Sequence, residues 1–184
     1  LPHVVDFYAK HRKDGLEVIT VNLNAAALAP EKNHQGSLEF REGAAGFYRD
    51  RFGVELDPAS EVMPVLGGKE AVGHIAMACL DAGDLCLSPE PGYPPYTSGP
   101  VFSGAEVHYL PLTEENHFFP ELGAIPEEIA RRANLLYLDY PNNPTGAIVP
   151  EGAFEQAVAF ARQHDVIVVH DNAYSEITFD GYVA

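Results

Sequence analysis

Basic side chains are scarce in this sequence: 11 Lys and Arg stand against 27 Asp and Glu, for a formal net charge of -16. Affinity for nucleic acids comes from clustered Lys and Arg neutralising phosphates, so this balance sets nucleic-acid partners aside. Long apolar runs are missing as well, since none reaches the roughly 18 residues of a membrane-spanning helix. The N-terminus lacks the basic-then-apolar order of a secretory signal. A cytoplasmic enzyme with no membrane association is the expectation. Cysteine is limited to Cys79 and Cys86. They are too far apart for a redox Cys-x-x-Cys and are expected to be reduced core residues. Of the scattered histidines, His164 and His170, with Asp171, come nearest to a ligand group. Their spacing is not that of a metal site, and none is expected.

What is present points to a folded core. Hydrophobic residues make up 46% of the chain and charges of both signs are mixed among them, a balance that suits a soluble globular protein. From Glu61 onward, short apolar runs alternate with helical periods, which indicates parallel strands joined by crossover helices. The fold class expected is α/β. Glu61 to Leu66 reads as a strand and Gly67-Gly68 as a turn. Lys69 to Leu80 reads as a helix, with Ala71, Val72, Ile75, Ala76 and Cys79 on one face. Strands are expected at Asp84 to Leu87 and Ala105 to Leu110, separated by a proline-rich loop from Ser88 to Tyr96 that excludes regular structure until its prolines are past. Leu112 to Pro126 is polar and should cross the surface before a short helix from Glu127 to Arg132. Leu135 to Tyr140 and Val166 to His170 read as buried strands linked by a helix from Glu151 to Gln163. Their carboxyl ends then open on the same sheet edge, where open α/β folds bind ligands. Nearer the N-terminus, Val18 to Val21 reads as a strand, Ala25 to Leu28 as a helix fragment and Leu38 to Phe52 as a helix.

Two motifs fall at that edge. Tyr140-Pro141-Asn142-Asn143-Pro144-Thr145-Gly146 follows one buried strand, and Asp171-Asn172-Ala173-Tyr174 follows the next. Taken singly, the first suits a plain turn and the second a capping aspartate. Together and in this order they resemble the cofactor site of class I/II aminotransferases, which use pyridoxal 5'-phosphate on a fold-type I scaffold. The wording is most similar to the branch that contains aspartate, alanine and LL-diaminopimelate aminotransferases. The resemblance implies a three-layer sandwich around a mostly parallel sheet, the large cofactor domain of such enzymes, here incomplete. Residues 1–52 would form an N-terminal segment partly associated with a small domain, and residues 53–184 the large domain, ending before the Schiff-base lysine.

Site roles follow from the resemblance, and each answers a chemical need of the cofactor. Gly68, Lys69 and Glu70 would form the phosphate-binding turn, where helix N-H groups and the helix dipole favour an anion. Asp171 would pair with the pyridinium nitrogen and keep it charged. Asn143 and Tyr174 would hydrogen-bond the cofactor's phenolate oxygen, and Asn143 would also face the substrate. Tyr93, in Pro91-Gly92-Tyr93-Pro94, would stack on the ring face, whereas Tyr96 is read as packing. Asp171 and Tyr174 are thus the candidate catalytic residues. The implied partners are an amino acid, a 2-oxo acid and a second copy in a homodimer with shared sites.

The sequence departs from the family in three places. A Gly-rich segment ending in Pro-Asp is missing near Val21-Asn22-Leu23, and a tyrosine-bearing aromatic stretch is missing near His34-Gln35-Gly36. Both junctions are read as gaps. None of the four lysines, Lys10, Lys13, Lys32 and Lys69, falls where the family's Schiff-base lysine does. Two other functions remain open: a carbon-sulfur lyase or aminocyclopropane carboxylate synthase-like enzyme with the same cofactor, and a non-catalytic cofactor-binding or dimerising fragment.

Overall fold

A computed structural model describes residues 18–21 and 38–180. Its elements are strand β1 (Val18–Val21), helix α1 (Leu38–Phe52), α2 (Gly68–Cys79), β2 (Leu85–Glu90), α3 (Pro95–Ser103), β3 (Glu106–Pro111), α4 (Glu127–Ala130), β4 (Ala133–Asp139), α5 (Ala153–His164) and β5 (Ile167–Asp171). The strands form one sheet in the order β1-β5-β4-β2-β3, and every pairing in it is parallel. The expected helix fragment at Ala25 to Leu28 and both expected gap junctions lie outside the described residues.

Side-chain alternation along β4 explains the layering. Leu135 and Tyr137 join Val72, Ala76, Cys86, Tyr96 and Val169 in one core. Leu136 and Leu138, pointing the other way, join Leu87, Phe154, Ala157, Phe160 and Val168 in a second. The sheet therefore carries α2 and α3 on one face and α5 on the other, in three layers. α5 buries Ala153, Phe154, Ala157, Val158, Phe160 and Ala161 at helical spacing, and Asp165 in the left-handed conformation ends it. On the opposite face, Tyr96 stacks on Tyr137 with ring centroids 4.8 Å apart, and the Tyr137 hydroxyl donates to the Val72 carbonyl at 2.7 Å.

Three expectations are corrected. Glu61 to Leu66 is not a strand: the segment has no partner in the sheet, and Leu66 is 99% exposed. A short apolar run bounded by glycine has the same pattern whether or not a neighbour is available to pair with it. Ser88-Pro89-Glu90 is the end of β2 rather than irregular loop. The Glu90 carbonyl accepts the Leu112 N-H on the β3 side, so strand alternation turns the Pro89 nitrogen toward β4. Pairing with β4 has already ended at Leu87, and the missing N-H of proline costs no ladder bond. Finally, the connection after Leu112 does more than cross the surface, because Leu112, Phe119 and Leu122 are buried.

Candidate active site

Parallel pairing places Asp139, the last residue of β4, in register with Asp171, the last residue of β5. Tyr137 and Val169, two residues earlier, face α2 and α3. The period of two therefore turns both carboxylates toward that same face. They open on a small cleft at the carboxyl edge of the sheet, where open α/β folds bind ligands. The start of α2 contributes Gly68 and Lys69 to its wall, and the segment before α3 contributes Tyr93 and Tyr96. Asn143 enters from the turn after β4, and Ala173 and Tyr174 from the chain after β5.

Asp171 is 6% exposed. Its Oδ2 accepts the Tyr96 hydroxyl at 3.0 Å, while Oδ1 has no hydrogen-bond partner among the described residues. Burial raises its pKa above the ordinary carboxylate value, partly offset by the bond from Tyr96. A buried acceptor without a donor fits a cationic N-H arriving from the cleft.

The turn after β4 gives its two adjacent asparagines different tasks. Asn142 is buried and ties the turn: its Oδ1 accepts the Thr145 hydroxyl at 2.6 Å, and its carbonyl accepts the Gly146 N-H at 2.8 Å. Asn143 faces the cleft and donates its backbone N-H to Asp139 Oδ2 at 3.0 Å. Gly146, at φ 72, closes the turn. Tyr174 lies across the cleft, partly exposed. Burial, and then the two aspartates, raise its pKa, which keeps the hydroxyl protonated and able to donate.

At the start of α2, the Gly68 and Lys69 N-H groups are the first two of the helix and have no intrahelical acceptor. Gly67 precedes them with no side-chain cap. That leaves the helix start open to an anion, with the Lys69 ammonium 6.0 Å above the Tyr93 ring. Glu70 is not brought into the cleft. Its carboxylate turns back to accept the Leu66 N-H at 2.7 Å, and its own N-H goes to the Gly67 carbonyl at 3.1 Å, so it closes the entry to the helix. Tyr93 is held by the bend at Gly92, where an added Cβ would collide with the Pro89 carbonyl.

Asp139, Tyr96 and Ala173 were not singled out from the sequence as site residues. Asp139 is an acidic residue inside an apolar strand, a signal of burial with a purpose. Tyr96 had been read as packing; it packs and also bonds Asp171. His170 faces away from the cleft: Nε2 lies 3.1 Å from the Tyr140 carbonyl, the ring meets Phe154 at 4.6 Å, and burial lowers its pKa to about 4. It cannot share a ligand with Asp171, because alternation puts the two side chains on opposite faces.

Burial, reinforced by the neighbouring Asp171 charge, raises the pKa of the 2%-exposed Asp139 to about 7, with the Asn143 hydrogen bond opposing. A carboxyl whose folded pKa is raised binds a proton that the unfolded chain has released. Its contribution to stability is therefore fully present below about pH 4 and lost as pH rises through about 7. Asp139→Asn is expected to change the melting temperature more favourably at pH 8 than at pH 5. Equal changes at the two pH values would contradict this account.

An open parallel sheet with an anion-ready helix start and a buried carboxylate at its carboxyl edge is the large-domain architecture of fold-type I pyridoxal-phosphate enzymes. Matching of family profiles agrees: aminotransferase class I and II covers residues 28–184, and the chain belongs to that family, which depends on pyridoxal 5'-phosphate. Among curated relatives it is similar to the LL-diaminopimelate aminotransferase of Moorella thermoacetica, 43% identical over 195 residues, covering 96% of this chain and 50% of the relative. It is also similar to that of Syntrophobacter fumaroxidans, 46% identical over 168 residues and covering 89% and 43%. Among solved structures, apo-BacF from Bacillus subtilis superposes with a TM-score of 0.79 at 32% identity, covering 98% of this chain and 51% of that one. A probable N-succinyldiaminopimelate aminotransferase from Thermus thermophilus gives 0.75 at 33%, covering 98% and 54%. The chain thus spans about half the length of the relatives it matches. The Moorella match runs over more positions than the chain has residues, so that relative carries residues within the matched span that this chain lacks. Among the described residues, no helix is long and apolar enough to cross a membrane.

Proposed function

We propose that this chain supplies the cofactor-holding part of an aminotransferase that moves an amino group from an L-amino acid to a 2-oxo acid. The supporting observation is the convergence of Asp171, Asn143, Tyr174, Tyr93 and the uncapped start of α2 in one cleft. Pyridoxal 5'-phosphate, when bound, supplies an electron sink for the amino acid's Cα. Gly68 and Lys69 would hold its phosphate, and Tyr93 and Ala173 would flank its ring. Asp171 would keep the ring nitrogen protonated. The Asn143 amide and the Tyr174 hydroxyl would donate to the ring oxygen, and Asn143 would border the substrate. The Schiff-base lysine would come from outside this chain.

The relatives' names suggest LL-diaminopimelate as the amino compound. The division at 52/53 into an N-terminal segment and a large domain, assembly as a homodimer and a cytoplasmic location belong to the same proposal. To test it, the full-length protein is incubated with pyridoxal 5'-phosphate, LL-diaminopimelate and a panel of 2-oxo acids. Amino transfer that depends on the acceptor is expected, and ammonia or thiol release without one would point to a lyase instead. Tyr174→Phe removes a donor to the ring oxygen and should raise the pH at which the bound cofactor's absorbance titrates, by about one unit. An unmoved titration would remove Tyr174 from this role.

A further inference from the structure

Of the two buried carboxylates on the cleft, Asp139 is the one with no task in the function proposed above. It is also the more enclosed, at 2% exposure against 6% for Asp171. The two carboxylates are register partners on adjacent strands, and each has one oxygen, Oδ1, without a hydrogen-bond partner among the described residues. Tyr96, which lines the same cleft, is fully buried. Its hydroxyl has a single proton, and that proton goes to Asp171 Oδ2 at 3.0 Å. Asp139 lines the same cleft, and its Oδ1 receives no hydrogen bond from that hydroxyl. Toward Asp139 it can offer only a lone pair.

A carboxylate facing a lone pair in a buried site is unfavourable, and two carboxylates this close in low dielectric do not both ionise readily. One proton resolves both problems if Asp139 holds it. A protonated Asp139 can donate to the Tyr96 oxygen, Tyr96 donates to Asp171, and Asp171 keeps its charge for the cleft. The other Asp139 oxygen accepts the Asn143 N-H at 3.0 Å whether or not the group is ionised. We propose that Asp139 is a positioning residue for the cofactor site: it holds the proton of the Asp139-Tyr96-Asp171 chain, leaving Asp171 ionised, and it fixes the turn that presents Asn143. This rests on the cofactor reading above for what the ionised Asp171 and the fixed Asn143 serve.

Other groups near Asp139 are compatible with this. Tyr93 and Tyr174 line the same cleft, Tyr140 follows directly in the chain, and burial together with Asp139 raises the pKa of Tyr140 and Tyr174, so both stay neutral. Lys69 is the cation on the cleft wall, and it sits by the Tyr93 ring.

The test uses the full-length protein without cofactor, labelled with carbon-13 at aspartate carboxyls and titrated by NMR. One carboxyl is expected to titrate near pH 7, to vanish in Asp139→Asn, and to move to lower pH in Asp171→Asn, where the like charge is gone. Tyr96→Phe, which breaks the chain, should shift it too. If the Asp139 carboxyl titrates in the ordinary range near 4, or the near-neutral titration survives in Asp139→Asn, the proposal fails. A second readout is the equilibrium binding of pyridoxal 5'-phosphate. Asp139→Asn, which keeps an acceptor for Asn143 and a donor for Tyr96, should stay within about threefold of the parent, whereas Asp139→Leu should weaken binding about tenfold or more, the loss of roughly one buried hydrogen bond. Equal weakening by both would also overturn it. If Asp139→Leu does not fold, the titration of the parent and Asp139→Asn decides. Failure of the parent to bind pyridoxal 5'-phosphate would defeat the cofactor reading, and the cofactor-free titration would still decide where the proton lies.

Discussion

Asp171→Ala is expected to lower turnover of the full-length protein on the order of a thousandfold while leaving the fold in place. The reason for the first effect is that the Asp171 carboxylate would be the anion that β5 presents to the ring nitrogen, buried and with Oδ1 unpartnered among the described residues. Removing one partner of a buried, hydrogen-bonded charge pair costs about 3–5 kcal/mol, and about 4 kcal/mol corresponds to that factor in rate. The second effect follows from the state without cofactor. Asp171 is there a desolvated carboxyl with a raised pKa and an unpartnered Oδ1, so its removal costs the empty protein little and relieves it at any pH where the carboxyl would be ionised. Asp171→Asn separates charge from shape: it fills the same space, cannot ionise, and should lose nearly as much activity. Steady-state kinetics with circular dichroism and melting curves on the same samples check this. Turnover within threefold of the parent would remove Asp171 from the cofactor site.

The second large effect is structural and acts through the contact between α2 and α3. Gly99 of α3 lies so close to α2 that a Cβ would sit 2.9 Å from the Gly73 carbonyl oxygen and 3.1 Å from the Ala76 Cβ. The first of these is backbone and cannot swing aside. Gly99→Val must push the helices apart, and overpacking of this kind costs about 1–3 kcal/mol. The same displacement reaches the site, because α2 begins at the open Gly68 turn and α3 carries Tyr96, whose hydroxyl bonds Asp171. Gly99→Val should therefore lower the melting temperature by several degrees and also weaken pyridoxal 5'-phosphate binding, although Gly99 is not among the cleft residues. Gly99→Ala should do both to a smaller degree. Unchanged stability in Gly99→Val would mean that the helices can separate freely at this point.

How much of this was legible in the sequence depends on the range of the interaction involved. Strand positions from Asp84 onward followed from the alternation of short apolar runs and helical periods, and α1, α2, β4, α5 and β5 lie within a few residues of their expected bounds, whereas α3, over Pro95–Ser103, was not expected. Those signals are local, since a period of 2 or 3.6 is written in consecutive residues. The two motifs that end β4 and β5 were legible for the same reason. Expectation failed where the outcome depended on a neighbour. Glu61 to Leu66 has the composition of a strand and no strand beside it. Pro89 belongs to a strand because pairing with β4 has stopped by that point. Glu70 keeps its expected position at the start of α2, and what the sequence did not show is that its side chain reaches back to Leu66.

By itself the sequence determined the α/β class, the cofactor family and the identity of Asp171, Asn143, Tyr174, Tyr93, Gly68 and Lys69 as candidates, because motif order and spacing are one-dimensional properties. Tertiary structure alone decided which asparagine ties the turn and which faces the cleft, that Tyr96 is joined to Asp171 across 75 residues of sequence, and that Asp139 is the register partner of Asp171. The physical reason is that a carboxyl's proton depends on burial and on the charges and donors around it. Those are brought together by sheet register and by α2-α3 packing.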